Sequence, residues 1–207
     1  MVKVPKIIKK LFFNQIWDIP NKENKIYLTF DDGPTPKITE WVLDILKKEN
    51  IKATFFCIGN NIKKHPETFK RILNEGHSIG NHTFNHLKGW KTSKKNYIEN
   101  VDLCENEINK LASLNYNIFR PPYGKISLIQ SILLRKKGFK IIMWDVLSKD
   151  YDQTISPEKC YENTKATTSG SILVFHDSLK AQKNLEYSLP KAIKFLKEKG
   201  FTFETIN

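Results

Sequence analysis

Residues 25–34 read Lys25-Ile26-Tyr27-Leu28-Thr29-Phe30-Asp31-Asp32-Gly33-Pro34: an apolar run, two adjacent carboxylates and a Gly-Pro break. Lys25–Phe30 has the length and residue types of a buried strand. Two like charges at the end of such a strand repel each other, so the pair needs either solvent or a cation beside it. A solvated Asp-Asp-Gly-Pro turn meets that need without any ligand. The rest of the chain decides between the two.

Further strand-length runs occur at Ala53–Ile58, Ser78–Gly80, Ile118–Phe119, Lys140–Val146, Ser171–Phe175 and Thr202–Thr205. Segments of helical period lie between them: Pro36–Lys48, Pro66–Leu73, Lys94–Leu111, Leu128–Lys137, Pro157–Lys165 and Leu189–Lys199. In the first of these, Ile38, Trp41, Val42, Ile45 and Leu46 share a face, and Thr35-Pro36 suits an N-cap and first turn. Gly76, Gly138 and Gly200 are placed as helix stops. Repeated strand-helix alternation predicts a mostly parallel α/β fold, a barrel or an open doubly wound sheet. Either one gathers its chemistry at the carboxyl ends of the strands. The reactive residues obey that rule. Asp31 and Asp32 follow Phe30, His82 and His86 follow Ile79-Gly80, and Arg120 follows Ile118-Phe119. Asp145 and Asp150 lie at or beyond Met143-Trp144, and His176 and Asp177 follow Leu173-Val174-Phe175.

The 207 residues, 40% apolar and 27% charged, suffice for one domain with a substantial core. No internal repeat or linker divides them, so 1–24 reads as an N-terminal lead segment and 25–207 as the domain. No apolar run approaches the roughly 18 residues that cross a membrane. Met1–Phe13 is lysine-rich, with apolar clusters at Ile7-Ile8 and Leu11-Phe12-Phe13. It lacks the continuous apolar core and cleavage site of a secretory signal, which favours a cytoplasmic location. It is expected to dock on the domain rather than lie as an amphipathic leader on another surface. The net charge of +12 admits an anionic glycan or membrane face as a partner. The lysines are scattered, however, or paired as in Lys47-Lys48 and Lys63-Lys64, the pattern of a solvated surface, and no nucleic-acid-binding signature occurs. Cys57, Cys104 and Cys160 are widely spaced and odd in number, so neither a disulfide framework nor a thiolate metal site is expected.

His82-Thr83-Phe84-Asn85-His86 places two histidines at i and i+4, which on a helical turn share a face and reach one cation. With a nearby carboxylate they make an Asp-His-His set, three ligands with open positions, the pattern of catalytic rather than structural coordination. One of Asp31 and Asp32 can then bind the cation. The other is left to take a proton from an attacking water, whose pKa a divalent metal lowers from about 16 towards 7. Arg120-Pro121-Pro122-Tyr123-Gly124 is a rigid loop able to fix a backbone N–H for an oxyanion, and Arg120 can hold a free aspartate. His176, at a strand end, suits a general acid, with Asp150, Asp145 and Asp177 as candidate partners. His65 and His77 read as structural.

In this order the pieces resemble the polysaccharide deacetylases, the NodB-homology enzymes of carbohydrate esterase family four. The motifs that carry the resemblance are Thr29-Phe30-Asp31-Asp32-Gly33, His82-Thr83-x-x-His86, Arg120-Pro121-Pro122-Tyr123-Gly124, the Trp144–Tyr151 segment and Leu173-Val174-Phe175-His176-Asp177. The resemblance implies a single-domain distorted (β/α) barrel, seven-stranded, with its site at the C-terminal ends of the strands. It implies Asp31 as general base, held by Arg120, and Asp32, His82 and His86 as metal ligands. It also implies the Tyr123 N–H at the oxyanion, His176 as general acid, Leu173 lining an acetyl pocket and Trp144 at the substrate. The implied metal is Zn2+, with Co2+ or Ni2+ accepted by some members. The fourth motif departs from the usual Asp-x-x-Asp-Trp: Tyr151 replaces the tryptophan, and no aspartate precedes Asp150 by three. Asp150 is assigned as the partner of His176, with Asp145 in reserve.

The function expected is metal-dependent removal of acetyl groups from an N-acetylated amino sugar or polysaccharide, peptidoglycan- or chitin-like. The alternatives are the same hydrolysis on a lipid-linked sugar, an O-acetyl ester or a small amide, and a glycan-binding module on a retired enzyme fold. A carbohydrate is the expected partner and nucleic acid is not.

Overall fold

In the computed structural model, which describes Met1–Asn207, the run at Lys25 becomes the central strand of a parallel sheet. The chain order is α1 (Lys6–Leu11), β1 (Lys25–Asp31), α2 (Ile38–Lys48), β2 (Thr54–Cys57), α3 (Gly59–Lys64), α4 (Pro66–Asn74), β3 (Ser78–Asn81) and α5 (Lys94–Asn109). It continues β4 (Ile118–Phe119), α6 (Leu128–Lys136), β5 (Lys140–Ile141), β6 (Val146–Leu147), α7 (Pro157–Thr164), β7 (Ile172–His176), α8 (Gln182–Glu198) and β8 (Thr202–Phe203). β1 is buried along nearly its whole length, as a parallel strand covered on both faces must be. Phe30 pairs with Phe55 of β2 on one side and Phe175 of β7 on the other. The three rings stack at centroid distances of 5.0 and 6.2 Å in the main core, beneath α2 and α8. Each such buried side chain contributes about 1.5–3 kcal/mol. A one-residue slip of β1 would turn the core face outward, so this register also fixes where Asp31 ends up.

The strands follow the path β5-β4-β3-β2-β1-β7-β6, and β8 pairs with the start of β1. The two ends of that path belong to one segment. The expected strand Lys140–Val146 divides at a bend: its first part pairs with β4 and its last with β7. That bent segment, counted once, gives seven strands and curls the sheet into a distorted barrel. The N-terminal segment is built into the wall. Ile16 bridges Ile142, Asp18 bridges Ser171 and Lys3 bridges Val146, so residues 16–18 wedge between β5 and the start of β7.

Several boundaries differ from the sequence reading. α2 starts at Ile38 rather than Pro36, because Lys37 adopts a left-handed φ of 67° that no helix continues through. α8 starts at Gln182, not Leu189, and carries Pro190 inside it; proline's usual exclusion from helix interiors hid the first turns. α1 and α3 have only six residues each, too few for a helical period to register. No helix is long and apolar enough to cross a membrane. All three cysteines are free and buried.

Candidate active site

The adjacent carboxylates at the end of β1 face different partners. Asp31 Oδ1 accepts from Arg120 Nη1 at 2.6 Å. The Arg120 side chain is wholly buried. Its remaining donors go to Thr29 Oγ1 at 2.7 Å, the Met143 carbonyl at 2.9 Å and, from Nε, the Ile142 carbonyl at 3.4 Å, and its guanidinium lies 4.0 Å from the Phe56 ring centroid. A buried arginine so fully satisfied is a fixed point, and it orients Asp31. Asp32 has a φ of 83° and turns the other way.

Asp32 Oδ1 lies 3.1 Å from His86 Nε2 and 3.7 Å from His82 Nε2, yet it is buried with no hydrogen-bond partner. Ligands about 2.1 Å from a tetrahedral zinc stand about 3.4 Å apart, so these spacings fit one cation. The three ligand atoms all lie within 4.8 Å of one another. His82 is prepared for ligation. Burial depresses its pKa to about 4 despite the aspartates, which keeps it neutral. Its Nδ1 lies 2.7 Å from the Arg120 carbonyl, which fixes Nδ1–H as donor and leaves the Nε2 lone pair facing Asp32. Burial works to raise the Asp32 carboxyl, but the imidazoles of His86, His176 and His82 outweigh it and hold it well below the usual carboxylate range. A buried carboxylate oxygen without a donor, facing two imidazole nitrogens, is the donor set of a divalent metal site.

The helical turn expected at His82–His86 is not there. The stretch is a loop in which Thr83 and His86 have φ of 63° and 55°. Asn81 Oδ1 accepts the Thr83 N–H at 3.0 Å, and Asn100 Oδ1 accepts the N–H groups of Phe84 and Asn85, each at 2.9 Å. The asparagine pair, not a helical turn, therefore brings the two histidines together.

On the opposite wall His176 ends β7. Its Nδ1 is 2.8 Å from Asp150 Oδ1, and its backbone N–H donates to Asp150 Oδ2 at 2.6 Å. Burial lowers the His176 pKa, but Asp150, with smaller shares from Asp32 and Asp31, overcomes that and raises it to about 9. Asp145, the reserve candidate, is elsewhere: it bonds Lys9 and Ser171 near the other end of β7. Tyr151 stands edge-on to His176 at 4.9 Å between ring centroids, so the ring that replaces tryptophan still covers the imidazole. Tyr123 packs 4.6 Å from the His86 ring and has a φ of 59°. Left-handed backbone costs a non-glycine residue about 1–2 kcal/mol, and such strain concentrates at functional sites. The next residue must be glycine: a Cβ on Gly124 would stand 2.6 Å from the Trp144 ring.

These groups open on one cavity of about 860 Å³, with Trp144, Tyr123 and Tyr151 among its lining. Leu173 does not line it. That side chain is wholly buried in the main core, and Val174 and Leu147 form the apolar wall instead, because alternate residues of β7 face opposite sides of the sheet. His77 is structural, accepting the Ala53 N–H at 3.1 Å, whereas His65 and its neighbour Lys64 line the cavity. Asp177, the third candidate partner of His176, is instead a supporting residue. It does not touch His176's ring; it lies under the Asp31-Asp32 turn. Its Oδ1 accepts the Gly33 N–H at 3.0 Å, its Oδ2 accepts from Thr39 Oγ1 at 2.5 Å, and its N–H donates to the Asp31 carbonyl at 3.1 Å. The fit is tight enough that a Cβ on Gly33 would stand 2.0 Å from Asp177 Oδ2.

Fold and site together define a metal-dependent hydrolase with Asp31 and His176 flanking the Asp32-His82-His86 ligand set. The chain belongs to the polysaccharide deacetylase family, whose sequence profile, described as "Polysaccharide deacetylase", matches residues 18–142. It is 36% identical over 190 residues to a peptidoglycan-N-acetylglucosamine deacetylase of Bacillus cereus, covering 90% of this chain and 68% of that protein. It is 33% identical to the peptidoglycan-N-acetylmuramic acid deacetylase PdaA of Bacillus subtilis, covering 90% and 71%. A crystal structure of the peptidoglycan N-acetylglucosamine deacetylase Bc1960, in complex with an N-hydroxybenzamide, superposes with a TM-score of 0.89 at 33% identity, covering 98% of this chain and 95% of that one. The protein is a metal-dependent deacetylase.

Proposed function

We propose that the chain removes the acetyl group from N-acetylglucosamine residues of a peptidoglycan-type glycan. The observation that carries this reading is the division between the adjacent carboxylates: Arg120 holds Asp31, while Asp32 Oδ1 is left without a donor before His82 and His86. The names and likeness of the relatives supply the sugar. Asp32, His82 and His86 would hold a divalent cation, Zn2+ by the chemistry of these imidazole and carboxylate donors, which would supply Lewis acidity to the reaction. Asp31 takes the proton of the attacking water, with Arg120 keeping its second oxygen turned to the cavity. The Tyr123 N–H donates to the oxygen that gains charge on the amide carbon. His176 Nε2 gives its proton to the departing sugar nitrogen, while Asp150 holds Nδ1–H and stabilises the imidazolium. The products are acetate and a free sugar amine.

Acetate release and product mass, followed on N-acetylglucosamine oligomers and on glycan strands carrying both N-acetylglucosamine and N-acetylmuramic acid, test this. Loss of acetyl from glucosamine in both substrates is the expected result. Loss from muramic acid alone would move the assignment to the chemistry of the B. subtilis relative. Release only from O-acetyl esters would overturn the amide reading.

A further inference from the structure

α1 is turned inside out for a helix that merely docks on its domain. Its charged Lys9 points inward and pairs with Asp18 and Asp145, Ile8 is half-buried, and Ile7 and Leu11 point outward. Ile7 and Leu11, one turn apart on the same face, are 68% and 69% exposed, and Phe12 and Phe13 immediately after them are 52% and 77% exposed. None of the helix's residues is buried. A helix resting on a protein core places such residues inward; four large exposed apolar side chains within seven residues form a surface patch that water does not favour.

The patch is held rigid and ringed by positive charge. Trp17 Nε1 donates to the Phe12 carbonyl at 3.2 Å, and the Gln15 N–H donates to the same oxygen at 3.0 Å. Exposed Lys6 and Lys10 run beside the Ile7–Leu11 row without an acidic partner, and Arg135 of α6 reaches Asn14 at 3.4 Å. Residues 1–17 contain four lysines and no acid, and the first acid, Asp18, is already paired with Lys9. Apolar side chains flanked by unpaired cations match an anionic lipid surface, where rings and aliphatic chains enter the headgroup boundary and lysines meet phosphates. Charge complementarity argues against a second copy of this chain, which would bring a like-charged patch to face the first.

We propose that the Ile7–Phe13 patch seats the protein on an anionic lipid bilayer. The patch lies beside Asp145 and Ser171, next to the start of β7, whereas Asp31 and His176 lie at the far ends of β1 and β7. A seated molecule therefore turns its cavity away from the lipid, towards glycan lying beyond it. The patch shares no residue with the site, so its disruption leaves turnover of soluble substrate intact.

Sedimentation of the full chain with vesicles of equal parts phosphatidylglycerol and phosphatidylcholine, and with phosphatidylcholine vesicles alone, tests this. Wild-type protein pellets with the anionic vesicles, weakly with the neutral ones, and less at high salt. Leu11→Ser with Phe13→Ser weakens vesicle binding about ten-fold or more per side chain. Acetate release from soluble oligomers stays at the wild-type rate, which shows that the variant is folded. Wild-type protein that stays in solution with anionic vesicles overturns the proposal, as does equal binding by the double variant. Light scattering that shows a dimer dissociated by the same substitutions assigns the patch to self-association and also overturns it.

Discussion

Asp31→Asn lowers kcat for acetate release by about 10²–10⁴-fold, the usual range for loss of a general base, with KM little changed. The side chain keeps its shape, and its oxygen can still accept from Arg120. It loses the charge that draws a proton from water and the charge that balances the buried guanidinium. The second loss has its own effect. Arg120 is wholly buried and its ion pair with Asp31 is at 2.6 Å. Removing one partner of such a pair typically costs about 3–5 kcal/mol, so the melting temperature falls as well. Kinetics at a temperature where the variant is folded separate the two effects. A variant that is folded, holds metal and turns over at the wild-type rate removes Asp31 from the reaction.

His176→Ala lowers kcat by about 10²–10⁴-fold, because the departing amine then leaves without a placed acid. Asp150→Asn acts differently and identifies the mechanism more sharply. The His176 pKa is raised to about 9 against the pull of burial, and Asp150 is the largest source of the rise. A cation at Asp32 cancels that residue's smaller share and leaves Asp150 as the support. Without its charge, burial dominates and the imidazolium is lost at lower pH. The alkaline limb of the rate profile in Asp150→Asn therefore moves down, while the limb set by the base stays. An unmoved alkaline limb would separate Asp150 from the acid. The sign for stability follows from the same shift: a value raised from 6.5 to about 9 gives stability that is fully present below pH 6.5 and is lost as pH rises through 9.

The parts of this molecule that a sequence shows best are those set by strand period. The run from Lys25 to Phe30 is strand β1, the alternation continues round the barrel, and the reactive residues stand at the carboxyl ends of strands because a parallel barrel exposes its backbone and loops there. Long-range geometry is less visible. The histidines His82 and His86 converge through a turn built by Asn81 and Asn100, and Asn100 lies on a different element, so only the fold reveals it. Asp177 reads as a neighbour of His176, yet strand alternation sends it to Gly33 and Thr39. The same alternation removes Leu173 from the cavity and puts Val174 there. Residues 16–18 have no strand signature because their pairing is made by single bridges to distant partners. Pro190 obscures the start of α8, since a rule about isolated helices yields when one face of the helix is packed on the core.

The adjacent carboxylates of β1 are best tested through the metal. Protein stripped of metal by chelation and titrated with Zn2+ regains acetate release in step with binding and saturates at one equivalent per chain. His82→Ala with His86→Ala neither binds zinc at that stoichiometry nor recovers activity. Full acetate release by wild-type protein shown by elemental analysis to be metal-free would contradict the assignment of Asp32, His82 and His86.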